Sequence, residues 1–175
     1  LPADVFASAD VKNMAKVTDA GLLHRKPVAF ATNSLEIVVE KGNPLFIDSL
    51  AQLADPSLLF VTCPIEVPIG GYTAEVLRNA GVTVTPASLE ENVKGILTKV
   101  ALGEADAGIV YRTDILAAGN SVTGVPIADN VNVTTKYLVG ALRDSQNQDA
   151  SQRFIIFLSS EQGQKIFSQF GFGPA

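Results

Sequence analysis

Short apolar runs rich in β-branched residues recur at 28–30, 35–39, 58–61, 82–84, 108–111 and 137–142. Polar or glycine-bearing stretches separate them, a pattern that predicts six strands. Between the runs the apolar residues change to helical spacing. The segment 72–80 turns Ala74, Val76 and Leu77 inward and stops at Gly81, a residue suited to a left-handed helix terminus. The segment 88–101 carries Leu89, Val93, Ile96, Leu97 and Val100 on one stripe, and Ser88 with Glu91 reads as its capping box. Near the C-terminus Phe154, Ile155 and Leu158 form one stripe; a break follows at Ser159 and Ser160, and Ile166, Phe167 and Phe170 form another before Gly171. Alternating strands and helices with short connections predict an α/β architecture with largely parallel sheets, whose ligands bind where strands hand over to helices.

Composition narrows the functional classes. The chain has 175 residues, 47% of them hydrophobic and 18% charged, enough for a core without metals or disulfides. No apolar run approaches the roughly 20 residues that a spanning helix needs. The net charge of -5 and sequence pI near 4.8 argue against a nucleic-acid groove. An anion site in such a chain must work through local dipoles and hydrogen-bond donors. Cys63 is the single cysteine and His24 the single histidine, so neither an intrachain disulfide nor a Cys/His zinc site is available.

Three segments are candidates for binding. Pro68-Ile69-Gly70-Gly71-Tyr72 follows one predicted strand and opens the helix at Tyr72; its glycines let backbone N–H groups approach an anion, and a helix N-terminus adds a partial positive charge. The same residues also suit a purely structural turn. The start of the helix capped by Ser88, with Val93 just inside, offers unpaired amides, although Glu90, Glu91 and Asn92 there also serve as ordinary dipole complements. Tyr111 ends the strand Gly108-Ile109-Val110-Tyr111, which leads into a Thr113-Asp114 helix cap, and its phenol can donate one neutral hydrogen bond. Motifs of hydrolases, phosphate-loop enzymes, dinucleotide binders and zincins are missing. His24 reads as an exposed turn residue, Cys63 as a small buried hydrophobe, and the Asn132-Val133-Thr134 sequon carries no weight outside a eukaryotic secretory setting.

The stretches Pro2-Ala3-Asp4-Val5-Phe6-Ala7-Ser8-Ala9-Asp10, Ala31-Thr32-Asn33-Ser34-Leu35, Val67-Pro68-Ile69-Gly70, Asn92-Val93-Lys94, Gly103-Glu104-Ala105-Asp106-Ala107-Gly108-Ile109-Val110-Tyr111-Arg112-Thr113-Asp114 and Gly171-Phe172 occur in one order along the chain. Together they resemble the molybdate-binding proteins of bacterial ABC importers. The resemblance implies a type II periplasmic-binding fold: two α/β lobes, 1–33 with 135–175 and 34–134, crossing over near Thr32-Asn33 and Thr135 to Tyr137, with a tetrahedral oxyanion in the cleft between them. In the second lobe it implies ligand contacts from the amides of Ile69 and Val93 and the hydroxyl of Tyr111. Ile69 stands where a small residue is usual, so its side chain either narrows the pocket or turns away.

Family members begin with a serine-bearing strand and a serine-rich loop that also touch the ligand, and this sequence starts after them. The first lobe is therefore expected to be N-terminally incomplete, the chain alone to bind weakly, and its open sheet edges to invite association. The implied ligand is molybdate or tungstate, with no cofactor, no direct protein–metal bond and no catalytic residue. The implied partner is an ABC permease, and the implied location periplasmic or extracytoplasmic, peripheral to the membrane, either free or held by a lipid anchor in the missing segment. Alternatives are an oxyanion-sensing domain of a transcription regulator, a binding protein for another oxyanion such as sulfate, and, less favoured, an enzyme on the same fold.

Overall fold

The computed structural model describes residues 3–175. The chain folds into two compact units, one built from its start to Asn33 together with Thr134–Ala175, the other from Ser34–Val133.

In the first unit β1 (Val5–Ser8) runs antiparallel to β7 (Thr134–Ala141), with Val5 opposite Ala141 and Ser8 opposite Leu138. Helix α1 (Val11–Asp19) starts where the Asp10 carboxylate accepts the Asn13 N–H at 2.6 Å, and Met14 is its buried contact. Helices α5 (Gln148–Ser159) and α6 (Glu161–Gln169) are separated at Ser160, whose hydroxyl accepts the Gly163 N–H and caps the second. That break lies where the spacing of apolar residues predicts it. The core is small, with Val139, Ala141, Ile155 and Leu158 buried beneath Val5, Phe30 and Phe167. His24 is exposed.

The second unit is built on a five-strand sheet ordered β6-β2-β5-β3-β4. Strand β2 (Val28–Glu40) contributes its 34–40 stretch, where Leu35, Ile37, Val38 and Val39 are at most 1% exposed. Strands β5 (Ala107–Tyr111) and β6 (Val122–Pro126) flank it antiparallel, pairing Ile37 with Ile109 and with Val125. Strand β3 (Phe60–Thr62) then runs parallel to β5 and to β4 (Ser88–Leu89). Helix α2 (Pro68–Asn79) follows β3, α3 (Val93–Ala101) follows β4, and α4 (Arg112–Ala118) follows β5. Gly108 lets α3 approach the sheet, since a Cβ there would overlap the Ile96 methyl.

Several expectations are corrected. The sheet is mixed rather than largely parallel, because β2 lies antiparallel to both neighbours. The runs 28–30 and 35–39 belong to one strand. Residues 82–84 are irregular, although Val82 and Val84 alternate inward as a strand would. The helix expected over 88–101 starts only at Val93. Ser88 and Leu89 instead extend the sheet, because the Phe60 and Thr62 carbonyls take the N–H groups of Ala87 and Glu90 at 2.7 Å each. The Ser88–Glu91 box is therefore replaced by an Asn92 cap.

Candidate functional site

Strands β5, β3 and β4 are parallel neighbours, so their carboxyl ends lie along one edge of the second unit's sheet. The helix that follows each strand must begin at that edge. Three N-termini therefore gather there, each with first-turn N–H groups that have no intrahelical acceptor and a partial positive charge. Ile69 is the second residue of α2, Val93 the first of α3, and Tyr111 the residue on which α4 starts.

Helix α2 begins at Pro68 rather than at Tyr72, so both glycines lie inside its first turns. Proline is favoured there because its ring fixes a helical φ and the missing N–H would be unpaired anyway. Gly70 is dictated by contact. A Cβ on it would overlap the carbonyl oxygens of Pro64 and Cys63, so only glycine lets the helix start rest on the turn after β3. Ile69 is 2% exposed and its side chain joins the core, which turns it away from the edge and leaves only its amide for that end of the helix.

The Asn92 side chain accepts the N–H groups of Lys94 at 3.0 Å and Gly95 at 3.2 Å, which satisfies two of the first-turn donors of α3. The Val93 amide, one residue into the helix, is not taken by this cap. At α4 the Asp114 carboxylate accepts the Tyr111 N–H at 3.2 Å, which fixes the tyrosine backbone. Burial pushes the Asp114 carboxyl above its usual range, and this hydrogen bond partly restores it. The Tyr111 ring meets that of Tyr72 edge-on at 6.4 Å between centroids, so α2 and the end of β5 touch through aromatic packing.

One residue at this edge escapes sequence reasoning. Thr62 closes β3, is 8% exposed, and its hydroxyl has no hydrogen-bond partner among the described residues. A threonine inside an apolar strand gives no sequence signal beyond β propensity. Cys63 next to it is 3% exposed and packs in the core, and burial and the charge of Glu90 push its thiol up. Asn132 has a structural role: its side chain accepts from Leu35 N and Val133 N and donates to the carbonyls of Leu35 and Ile127, and the sequon is not needed to explain it.

Two carboxylates near the edge have cationic partners. The Glu90 carboxylate pairs with Lys99 at 2.6 Å, and the half-buried Glu36 with Arg112 at 3.8 Å. Among the described residues no cluster of His, Cys, Asp and Glu suits a metal ion. What the edge offers is neutral donors aimed outward from helix starts, the chemistry of a site for a small anion.

The family model of bacterial extracellular solute-binding proteins matches residues 1–173. The chain is 38% identical over 170 residues to the molybdate-binding protein ModA of Mycobacterium tuberculosis, covering 97% of this chain and 65% of that protein. It is 31% identical over 186 residues to ModA of Escherichia coli, covering 98% of this chain and 70% of the relative. The chain thus spans about two thirds of the length of these relatives. Among solved structures, the substrate-binding domain assigned to a molybdenum ABC transporter of Clostridium difficile superposes with a TM-score of 0.86 at 28% identity, over 99% of this chain and 78% of that one. The α/β periplasmic-binding fold implied by the sequence resemblance is the fold observed.

Proposed function

The chain belongs to the bacterial extracellular solute-binding protein family, and from that premise we propose that it captures molybdate or tungstate outside the cytoplasm and delivers it to an ABC permease. Supporting this reading above all is the convergence of Ile69, Val93 and Tyr111 at one strand edge, in a chain 38% identical to a molybdate-binding protein. The protein acts by binding alone. Oxide oxygens accept hydrogen bonds from the two amides and the phenol, and helix dipoles offset the double negative charge.

Selection is by size. Sulfate has the same charge and shape with shorter bonds, so fixed donors placed for the larger oxide leave some bonds to it unmade. Each buried donor left unpaired costs roughly 1–3 kcal/mol. Molybdate and tungstate, nearly equal in size, are held alike. The protein works at the outer face of the membrane, either diffusing or tethered by a lipid, and the permease distinguishes its loaded form.

Thermal melting with molybdate, tungstate, sulfate and phosphate tests the assignment. At a ligand concentration of about 100 times Kd, binding adds roughly 2.7 kcal/mol. For a protein of this size that raises Tm by about 5–10 °C. Molybdate and tungstate should give this shift and sulfate and phosphate should not; equal shifts for all four would refute the selection. Tyr111→Phe removes a charge-assisted donor worth roughly 1.5–3 kcal/mol, so the variant should bind molybdate about 10- to 100-fold more weakly. Equal calorimetric affinity would remove Tyr111 from the site.

A further inference from the structure

Glu90 occupies the turn between β4 and α3, two residues before the Asn92 cap. Its N–H donates to the Thr62 carbonyl at 2.7 Å, and its Cβ lies where a Cβ on Gly95 would come within 3.1 Å. After burial, its charge is the second influence raising the Cys63 thiol. Glu90 therefore stands between the turn that leads to α2 and the first turn of α3, the two helices whose starts carry Ile69 and Val93. Its carboxylate accepts from Ser88 Oγ at 2.6 Å and from Lys99 Nζ at 2.6 Å, and Lys99 also donates to Ser88 at 3.0 Å. The Glu90 side chain is only 14% exposed and that of Lys99 32%, so solvent screens this pair less than a surface pair.

A lone carboxylate at this point opposes any dianion bound by the neighbouring amides. We propose that Lys99 determines the affinity of the oxyanion site without touching the anion, by cancelling the charge of Glu90 while Glu90 holds the turn that presents the Val93 amide. This rests on the functional reading above. A unit charge about 10 Å from a dianion, at an effective dielectric of roughly 40, changes its affinity by about tenfold. Simple stapling of α3 to β4 by the same contacts is the competing explanation. Stapling makes loss of either partner harmful, whereas charge cancellation gives the two losses opposite signs.

The experiment is calorimetric titration of sodium molybdate into the full-length wild-type protein and into its Lys99→Met, Glu90→Gln, double and Lys99→Arg variants, at an ionic strength of about 0.01 M, where the screening length is roughly 30 Å. Circular dichroism at the titration temperature verifies that each is folded. Lys99→Met should bind about tenfold more weakly and Glu90→Gln severalfold more tightly. The double variant and Lys99→Arg should fall within about threefold of wild type, and the differences should shrink in about 1 M salt. If wild type binds and both single losses weaken binding, or neither changes it, the proposal is overturned while the functional reading stands. If wild type does not bind molybdate, both fall together.

Discussion

Gly70→Ala tests the way the first turn of α2 is held. Inside an ordinary helix the change would favour folding, since glycine is roughly 0.5–1 kcal/mol worse than alanine there. Here the new methyl would be driven into the carbonyl oxygens of Pro64 and Cys63. Neither is a side chain that can rotate away, so the helix start or the turn after β3 must move. Overpacking of this kind costs typically 1–3 kcal/mol and occasionally more, and the backbone contact puts this case toward the upper end.

Subtracting the helix gain leaves a net loss of about 1–3 kcal/mol, a fall in Tm of about 3–10 °C for a chain of this length. Gly71→Ala is the internal control. Its Cβ would meet only the Ile65 carbonyl, at 3.2 Å, a contact relieved by a few tenths of an ångström, and it should lie within about 0.5 kcal/mol of wild type. Melting followed by far-ultraviolet circular dichroism measures both. Gly70→Ala as stable as wild type would show that the glycine is not needed for close approach. Because the Ile69 amide is carried on the displaced turn, Gly70→Ala should also lose molybdate affinity while Gly71→Ala keeps it.

Asn132→Ala removes four hydrogen bonds, two with the Leu35 backbone and one each with Ile127 and Val133; it should cost about 1–3 kcal/mol in urea denaturation, since backbone groups are left unpaired. Arg112→Met leaves Glu36 buried beside Gly124 without its cation. Burial already raises the Glu36 carboxyl above its usual 4.5, and Arg112 restrains the rise. The folded state thus holds that proton more tightly than the unfolded state, and ionisation costs stability at pH values above the raised value. The variant should be less stable than wild type by up to about 1 kcal/mol at pH 7.5, and the difference should close as pH falls toward 4.5. A deficit independent of pH would assign it to lost packing of the arginine stem.

What the sequence made legible was whatever local chemistry decided. The break at Ser160 and the stop at Gly81 follow from capping and from a positive φ of 66° at that glycine. Partners distant in the chain decided what was misread. Val82 and Val84 alternate as in a strand, yet neither joins one, and the Val82 N–H closes the end of α2 on the Leu77 carbonyl instead. Ser88 matches a helix cap, but free carbonyls on β3 offered Ala87 and Glu90 two hydrogen bonds and drew the segment into the sheet. Strand β6 was unread because Gly124 and Pro126 argue against a strand; both are tolerated beside β2 at the sheet's edge. Residue chemistry singled out the segments that hold Ile69, Val93 and Tyr111, and the resemblance narrowed the expected contacts to those three positions. Periodicity misplaced the starts of α2 and α3, and the parallel order β5-β3-β4 explains why three separate segments share one edge.

An anion site made of neutral donors in an acidic chain has a kinetic signature. The net charge of -5 repels a dianion at long range, while the proposed donors, two amides and a phenol, would attract it only within hydrogen-bond reach. Salt shortens the screening length from about 30 Å at 0.01 M to about 8 Å at 0.15 M, which removes the repulsion before it touches the short-range bonds. The association rate of molybdate should therefore rise severalfold over that range, with the dissociation rate nearly constant. A clamp of lysines and arginines would make the association rate fall instead, because salt would screen its attraction. Stopped-flow tyrosine fluorescence suits the measurement, as the chain has three tyrosines and no tryptophan. An association rate that falls with salt would mean that cations, and not the helix starts, hold the oxide.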